Sequence, residues 1–368
     1  MSKIIRKIAH LTSVHPRFDT RIFLKECISL AGNGYTVFLV VADGKGDETK
    51  HNVSIYDVGA SKSRLDRIIN APGRVLTKAL ELDADIYHFH DPELIPIGLK
   101  LKNLGKKVVF DIHENTDLQI LSKEWIPFYL RKVISWAYSK YELYSCRKFD
   151  ALVVPQLAMH EKFSRYAKTE LVANFPTEVI KDIRYGERSK FNLLYVGGLN
   201  KARGLYNMLD LIDRLSVIDS RYRLTLAGPI APVDLAAAKN HPGWKNTVYL
   251  GVLDRRKVYE VYGQNSIGLI LFNNVGQYYM SYALKLFEYM QCGMMVIMPD
   301  FGDWLSFNES FAVGFNVNVT DSDGVSMLID GLDLKHLEAF FDHNSGMASS
   351  EFLWSTQERK LVSLYGEL

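Results

Sequence analysis

One helix-to-strand transition is especially clear between residues 282 and 297, where the sequence reads Tyr282-Ala-Leu-Lys-Leu-Phe-Glu-Tyr-Met-Gln-Cys-Gly-Met-Met-Val-Ile297. Apolar residues recur at helical spacing as far as Cys292, and Gly293 then supplies a helix stop. The apolar run that follows has the length of a buried strand. A helix that leads directly into a buried strand is the repeating unit of parallel α/β sheets, so this stretch predicts that class of fold.

The same alternation of short apolar runs and helical patterns extends over the chain in two series. The first series contains the candidate strands 8–12, 36–41, 53–58, 85–89, 107–112, 151–155 and 170–174, and the second contains 191–197, 222–227, 247–250, 266–272, 294–298 and 311–317. We predict two doubly wound domains, 1–175 and 191–345, with a polar linker at 176–190 and a terminal segment, 346–368, whose helix crosses back. A length of 368 residues fits two such domains, and a ligand cleft is expected between them.

Composition and charge exclude several classes of protein. The 44 Lys and Arg residues nearly balance the 42 Asp and Glu residues, so the net charge of +2 creates no global field for binding nucleic acid. The three cysteines form no CxxC motif, which argues against a disulfide framework and a cysteine-built zinc site. The basic N-terminus lacks the pattern of a signal peptide and no apolar run reaches bilayer length, so we predict a cytoplasmic protein.

Two charged residues of the opening stretch, Lys285 and Glu288, are three positions apart and share one helix face. A carboxylate at that place could accept two hydrogen bonds from a ribose diol, and the amides of the helix N-terminus around Ser281 could bind a phosphate. Tyr282 lies beside them in the sequence. The alternative is a surface ion pair on an amphipathic helix.

A glycine-rich loop follows the first strand of the second series. Gly197 and Gly198 would let the backbone approach a ligand closely, and Arg203 could reach a diphosphate at the next helix N-terminus. The spacing to Gly204 matches neither GxGxxG nor a P-loop, which disfavours nicotinamide chemistry and P-loop phosphoryl transfer. A purely structural turn is the alternative.

In the first half, the loop after the first strand contains His15, Arg17, Asp19 and Arg21. It lies at the carboxyl edge of the predicted sheet, where doubly wound folds bind ligands, and the two arginines could neutralise phosphate oxygens. The alternative is a solvated loop that contains a pair between Asp19 and Arg21.

Two clusters of histidine and acid follow the middle strands, His88-Phe-His-Asp-Pro-Glu93 and Asp111-Ile-His-Glu114. The first could hold a metal, but its last three residues also fit an N-cap, a first-turn proline and an acidic first turn, so we predict no metal. His113 closes a buried strand and should emerge at the ligand edge, where it could bind a sugar hydroxyl or a developing negative charge. A histidine satisfied within the core is the alternative.

Residues 121–148 combine aromatic side chains at helical spacing with six basic residues against two acidic ones. This composition is typical of a helix that lies on an anionic membrane surface. Contact with the inner face of the plasma membrane would use Trp125, Arg131, Lys132 and Trp136. A helix packed on the sheet with a solvated basic side is equally consistent with the pattern.

Taken in order, these segments resemble the retaining glycosyltransferases of family 4, which have the GT-B fold. The resemblance is carried by residues 10–21, 88–93, 111–114, 174–176, 197–204, 226–229, 250–252, 285–297 and 354–365. It implies two Rossmann-like domains facing across a cleft, a nucleotide-sugar held mainly by the C-terminal domain, no metal and no cofactor. Glu288 would bind the ribose, Arg203 the diphosphate, and His113 would lie beside the transferred sugar.

The resemblance also implies donor contacts from Gly197, Gly198, Ser281, Tyr282 and Lys285. The acceptor or phosphate side would use His15, Arg17, Asp19, Arg21, His90 and Glu114. Two positions depart from the family pattern, because Met280 stands where a first glutamate is frequent and Gly198 where an arginine is frequent.

The implied function is transfer of a hexose or N-acetylhexosamine, with retention, from a UDP-sugar to a glycan or lipid-linked acceptor in cell-surface polysaccharide synthesis. A sugar-nucleotide epimerase on the same fold and a degenerate binding protein are the alternatives.

Overall fold

The computed structural model describes residues 6–123, 126–177, 180, 185–279 and 282–368. The chain forms two compact units. The N-terminal unit consists of Met1–Asn174 together with Trp354–Leu368, and the C-terminal unit consists of Phe175–Leu353. Each unit is built on its own sheet and its own hydrophobic core.

Strands of the N-terminal unit form one sheet that is almost entirely parallel. Within the described residues its strands are β1 (Lys7–Leu11), β2 (Thr36–Val41), β3 (Glu48–Lys50), β4 (Val53–Asp57), β5 (Ile86–Phe89), β6 (Lys107–Asp111), β7 (Ala151–Val154) and β8 (Thr169–Leu171). Their order is β3-β4-β2-β1-β5-β6-β7-β8, and β3 runs antiparallel to β4. The central strands are buried on both faces, which explains their uninterrupted apolar runs in the sequence.

Helices cover both faces of this sheet. They are α1 (Ile28–Gly32), preceded by a π-helical turn at Ile22–Cys27, α2 (Arg64–Ile69), α3 (Ala71–Leu82), α4 (Ile95–Asn103), α5 (Thr116–Ser122), α6 (Phe128–Cys146), α7 (Leu157–Phe163) and α15 (Trp354–Glu367). Helix α15 brings the end of the chain back to this unit, where Trp354, Leu361 and Tyr365 are buried in the core. The chain returns at Trp354 and not at residue 346, because residues 346–350 continue the preceding helix.

The C-terminal unit is a second parallel sheet with helices on both faces. Its strands, in the portion that the structure describes, are β9 (Asn192–Val196), β10 (Arg223–Ala227), β11 (Thr247–Tyr249), β12 (Ile267–Leu269), β13 (Met295–Pro299) and β14 (Gly314–Val317). Its helices are α8 (Leu205–Ile218), α9 (Pro232–Lys239), α10 (Arg255–Gly263), α11 (Leu284–Gln291), α12 (Gly302–Phe311), α13 (Ser322–Asp330) and α14 (Leu334–Ser350). The strand order β11-β10-β9-β12-β13-β14 is that of a Rossmann domain. The predicted doubly wound α/β fold is confirmed in both units.

The described part of the predicted linker, 176–190, lies against the C-terminal unit. The Arg188 guanidinium lies 4.0 Å from the centre of the Phe341 ring, and Lys190 Nζ is 3.1 Å from Asp330 Oδ1. These polar residues therefore pack on the surface of the C-terminal unit.

The strand order of each sheet indicates where a ligand would bind. The direction in which successive strands are added to the sheet reverses between β1 and β5 in the N-terminal unit and between β9 and β12 in the C-terminal unit. Doubly wound sheets bind ligands at the carboxyl ends of strands on either side of such a reversal. The segments that follow β1, β5, β9 and β12 are therefore the places to look for a site in each unit.

Candidate functional site

A cavity of about 350 Å³ opens in the C-terminal unit beside the ends of β9 and β12 and the start of α11. It is lined by Val196, Gly197, Arg203, Arg255, Val258, Tyr262, Phe272, Tyr278, Ala283, Leu284, Lys285 and Glu288. Four of the residues predicted to bind the donor, Gly197, Arg203, Lys285 and Glu288, therefore line one cavity. They come from two segments that are about eighty residues apart in the sequence.

Glu288 is buried on α11 and is held by two partners from α10. Arg255 Nη2 lies 2.6 Å from its Oε1, and the Tyr262 hydroxyl donates to its Oε2 at 2.7 Å. A carboxylate has about four acceptor positions, so each oxygen retains one for a further donor. The alternative of a surface ion pair with Lys285 does not describe this arrangement, because both side chains are buried.

Lys285 presents a buried amine to the same cavity. Its Nζ has no hydrogen-bond partner among the residues that the structure describes, and it lies 3.4 Å from the centre of the Tyr195 ring. Burial lowers the pKa of Lys285 well below its ordinary value, the positive charge of Arg203 lowers it further, and Glu288 opposes the shift. A bound anion would supply the partner that this amine lacks.

The glycine pair leaves room for two cationic side chains. Gly197 has a φ of 137°, and a Cβ added there would lie 2.7 Å from Lys285 Nζ. A Cβ added at Gly198 would lie 2.9 Å from Nη1 of Arg203, whose Nε donates to the Tyr278 hydroxyl at 3.0 Å. Side chains at these two positions would therefore displace Lys285 and Arg203. A purely structural turn would not need to leave space for these two side chains.

Other residues predicted for the donor lie elsewhere or outside the described chain. Tyr282 packs against Phe307 and Trp304, with ring centres 5.0 and 5.9 Å away. Ser281 and Met280 lie outside the described residues. Helix α11 begins at Leu284 and not around Ser281, because Ala283 has an extended backbone with ψ of 139°. The first-turn amides at the cavity are accordingly those of Leu284 and Lys285.

Sequence reasoning missed three polar residues of this cavity, namely Arg255, Tyr262 and Tyr278. One signal was present for Arg255. It follows Asp254, which caps α10 by accepting from the Lys257 amide, and so it places a positive charge in a first helical turn, where the helix dipole disfavours it. A cation at that position is expected to have a partner from another element.

In the N-terminal unit, a second cavity of about 260 Å³ opens beside the ends of β1, β5 and β6. It is lined by Val14, His15, His90, Asp91, Pro92, Glu93, Phe110, Ile112, His113, Glu114, Thr116, Gln119 and Lys123. The cavity therefore brings together His15, His90, His113 and Glu114 from the residues predicted for the acceptor and the transferred sugar.

His113 is oriented by a buried carboxylate. Its Nε2 lies 2.7 Å from Asp111 Oδ2, and Arg21 donates to both oxygens of Asp111 at 2.9 Å. Burial alone would raise the pKa of Asp111, but Arg21 and His113 hold it well below its ordinary value. Asp111 is therefore a charged group that fixes one nitrogen of the His113 ring.

His90 continues this network into the core. Its Nδ1 is 3.2 Å from both Asp111 Oδ2 and His113 Nε2, and its Nε2 is 2.9 Å from His10 Nδ1. Burial lowers the pKa of His90 to about 4, although its bond to Asp111 acts in the opposite direction. His90 is therefore neutral near neutral pH and can link its partners as both donor and acceptor.

Asp91 binds the loop after β1. His15 Nδ1 lies 2.8 Å from Asp91 Oδ1, and the Thr12 hydroxyl donates to Oδ2 at 2.9 Å. Burial lowers the pKa of His15, but the hydrogen bond and charge of Asp91 outweigh it, so the net shift is upward. Asp91 does precede a short 3-10 turn, Pro92–Leu94, yet its side chain does not cap that turn. The predicted N-cap position of Asp91, the first-turn proline and the acidic Glu93 are confirmed, but the Asp91 side chain binds the loop after β1 and makes no capping bond.

The two loop arginines are matched by carboxylates of their own unit. Arg17 donates to both oxygens of Asp43, at 2.8 and 2.7 Å, and also pairs with Glu48. Arg21 binds Asp111, and its Nε lies 3.1 Å from Glu26 Oε1. Their assignment as phosphate ligands stays a prediction. To bind a phosphate, each arginine would have to break its bonds to these carboxylates.

Asp19 does not pair with the guanidinium of Arg21. Its Oδ1 accepts the backbone amides of Arg21 and Ile22, at 2.8 and 2.9 Å. These bonds fold the loop just before the helical turn at Ile22–Cys27, which differs from the solvated ion pair considered above.

Among the residues that the structure describes, two groups of mostly buried side chains have the composition of metal ligands. They are His10, Glu26, His88 and His90, and His90, Asp111 and His113. In each group the candidate ligand atoms lie within 4.8 Å of one another. Several of these atoms already hydrogen-bond one another or a neighbour, as between His88 Nδ1 and the Tyr365 hydroxyl at 2.6 Å. These contacts link part of each cluster into a polar network, and the absence of a metal from the reaction stays a prediction.

Helix α6 exposes most of the aromatic residues of segment 121–148. Phe128 is 80% exposed and Trp136 is 64% exposed, and Lys132 is exposed on the same helix. The opposite side packs inward, where the Tyr138 hydroxyl donates to Glu142 at 2.8 Å and burial raises the pKa of Glu142 to about 7. Trp125 lies outside the described residues. Among the helices that the structure describes, none is both long enough and apolar enough to cross a bilayer.

Comparison with known proteins supports both the family and the fold. Residues 22–175 match the model of Glycosyltransferase Family 4, which confirms the resemblance over that range. None of the curated proteins matches the sequence.

Solved structures match both units of the chain. Sucrose-phosphate synthase from Thermosynechococcus elongatus has a TM-score of 0.76 at 13% identity, with 98% of each chain covered. Trehalose-6-phosphate from E. coli, bound with UDP-2-fluoro glucose, has a TM-score of 0.72 at 14% identity, covering 97% of this chain and 98% of the other. Anabaena HepE in complex with UDP and glucose has a TM-score of 0.71 at 13% identity, covering 99% and 100%. At these identities the likeness establishes the GT-B fold.

Proposed function

Because residues 22–175 match the model of Glycosyltransferase Family 4, we propose that the protein transfers a hexose or N-acetylhexosamine from a UDP-sugar, with retention. The acceptor is a glycan or a lipid-linked glycan in cell-surface polysaccharide synthesis. The choice of UDP is supported by the E. coli and Anabaena structures of the same fold, which contain UDP-2-fluoro glucose and UDP.

The observation that carries this proposal is the buried amine of Lys285, which has no described hydrogen-bond partner and faces the cavity of the C-terminal unit with Arg203 nearby. Two cations and the first-turn amides of α11 suit a diphosphate, and Glu288 on the same helix suits the ribose diol. A nucleoside diphosphate satisfies all of these groups together.

Catalysis follows from the same groups. Breaking the bond between sugar and diphosphate leaves negative charge on the phosphate and positive character on the sugar, so the barrier falls when fixed donors stabilise the leaving group. Arg203 and Lys285 supply that stabilisation. Because they can balance the charge of the diphosphate themselves, we propose that no metal or other cofactor takes part.

On the acceptor side, His113 is the group that we propose contacts the transferred sugar. Asp111 holds its Nε2 at 2.7 Å and fixes the ring, so the other nitrogen and the ring edge are available to the cavity. Pre-oriented donors and acceptors cost little reorganisation when the substrate binds.

We further propose that the protein works in the cytoplasm at the inner face of the plasma membrane. The support is the exposed surface of α6, which includes Phe128, Lys132 and Trp136, with the half-buried Arg131 beside them. Apolar rings and cations on one exposed helix match an interface of acyl chains and anionic headgroups.

Binding and turnover test the proposal in two steps. The melting temperature is measured with UDP, GDP and ADP, and the nucleotide that raises it identifies the donor class. Donor sugars of that class are then incubated with and without acceptor. Isomerised donor without acceptor would indicate an epimerase. Absence of a thermal shift with all three nucleotides would instead indicate a binding protein that has lost the activity.

A further inference from the structure

We propose that the cavity of the N-terminal unit accepts the neutral, hydroxyl-bearing end of a glycan and excludes phosphorylated sugars. This inference rests on the proposed glycosyl transfer and specifies its acceptor. Synthases named for sugar phosphates share the fold, so the charge of the acceptor has to be inferred from the cavity itself.

The charges that line the cavity are mainly negative. Asp91, Glu93 and Glu114 contribute carboxylates, and Lys123 is the one permanent cation among the described lining residues. Asp91 is neutralised in part by His15 at 2.8 Å. Arg67 contacts Glu93 at 3.2 Å, whereas the described partner of Glu114 is the neutral amide of Gln119. Glu114 is therefore the carboxylate whose negative charge would repel a phosphate dianion.

The two arginines of the loop after β1 do not add a cation to the cavity. Arg17 is bound by Asp43 and Glu48, and Arg21 is bound by Asp111 and Glu26. Neither arginine is among the described residues that line the cavity. For Arg21 to bind a phosphate it would have to leave the buried carboxylates of Asp111 and Glu26, and an unpaired buried charge is strongly unfavourable.

The same carboxylates are good partners for sugar hydroxyls. Arg67 contacts one oxygen of Glu93 at 3.2 Å, and Gln119 donates to one oxygen of Glu114, so each carboxylate keeps further acceptor positions. Glu114 is exposed at the cavity mouth, and His113 and Thr116 add neutral polar groups. A volume of about 260 Å³ lies just below the roughly 300–1,000 Å³ of drug-sized ligand sites, which suits one sugar residue at the end of a chain.

The test compares neutral and phosphorylated sugars on the full chain loaded with UDP. Saturation-transfer NMR is recorded with the methyl glycosides of glucose, galactose and N-acetylglucosamine, and with the corresponding 6-phosphates. We expect at least one neutral glycoside to bind at least fivefold more tightly than its phosphate. Raising the salt concentration should reduce that ratio, because screening weakens the repulsion.

A charge-reversal variant makes the test specific. Glu114→Lys should bring the affinity for the phosphate to within twofold of that for the neutral glycoside, and Glu161→Lys, at an exposed position on α7, should leave the ratio unchanged. Equal or tighter binding of phosphates by the natural chain would overturn the inference, as would no binding of any neutral glycoside. A melting temperature that does not respond to UDP would instead count against the proposed function.

Discussion

Replacing the buried lysine of the donor cavity should make the protein more stable and less able to bind its donor. Lys285→Met keeps the length of the side chain and removes an amine that is buried and lacks a described hydrogen-bond partner. A buried polar group without a partner costs about 1–3 kcal/mol of folding free energy. For a unit of this size, each kcal/mol corresponds to about 2–4 °C in melting temperature. We therefore expect the variant to melt several degrees higher in the absence of nucleotide.

The stability gained by Lys285→Met should depend on pH in a defined direction. The pKa of Lys285 is lowered in the folded protein, so the unfolded chain binds the proton more tightly and the natural protein loses stability as the pH falls below 10.5. Once the pH is below the folded pKa, the loss is complete and constant. The difference in melting temperature between Lys285→Met and the natural chain should accordingly shrink as the pH is raised toward 10.5.

Donor binding should change in the opposite sense to stability. A hydrogen bond to a charged group contributes about 1.5–3 kcal/mol, so loss of the amine should weaken UDP binding by about ten- to a hundredfold. Calorimetric titration with UDP and thermal melts measure the two effects separately. Lys239→Met, at an exposed position on α9, is the matched control and should change neither. A Lys285→Met variant that is less stable and binds UDP normally would refute the reasoning.

Three further predictions concern other groups. Arg203→Ala should lower turnover by about 10²–10³ and leave the circular dichroism spectrum unchanged, and unchanged turnover would contradict its role at the diphosphate. His15 has a raised pKa beside Asp91, so its contribution to stability is present below pH 6.5 and is lost as the pH rises through the folded pKa. His15→Asn should flatten that part of the stability profile, and a profile that keeps its slope would count against the pair. Binding to liposomes rich in anionic lipid should fall at least tenfold when four residues are replaced together by Ser or Gln, namely Trp125, Arg131, Lys132 and Trp136. Unchanged sedimentation with the liposomes would reject the membrane surface.

The fold was predictable because its signals are local. Parallel strands that are buried on both faces appear as continuous apolar runs, and helix stops such as Gly293, with a φ of 66°, mark where one element gives way to the next. Right-handed crossovers then limit the possible strand orders, although the antiparallel edge strand β3 was not predicted. Local signals do not show where helix α11 begins, because that depends on the extended backbone of Ala283.

The site was predictable only where one short segment contains the chemistry. Glu288 and Lys285 share a helix face, so their proximity could be inferred from their spacing. Arg255 reaches Glu288 from another helix, and Arg17 is bound by Asp43, which is 26 residues away. Pairings of this kind depend on tertiary contacts between segments, which the pattern of a single segment does not reveal. The pairing of Arg17 with Asp43 could therefore not be predicted, and its role as a phosphate ligand stays a prediction.

The departure at Gly198 from the family pattern has a physical explanation in the position of the two cations. A side chain at Gly198 would begin 2.9 Å from Nη1 of Arg203, and one at Gly197 would begin 2.7 Å from Nζ of Lys285. An arginine at position 198 would therefore compete for the space that Arg203 occupies. We infer that Lys285, supplied from α11, takes over the charge that an arginine in the loop would provide. The charge then reaches the cavity from the same helix as Glu288, so a single element orients the contacts to the diphosphate and to the ribose.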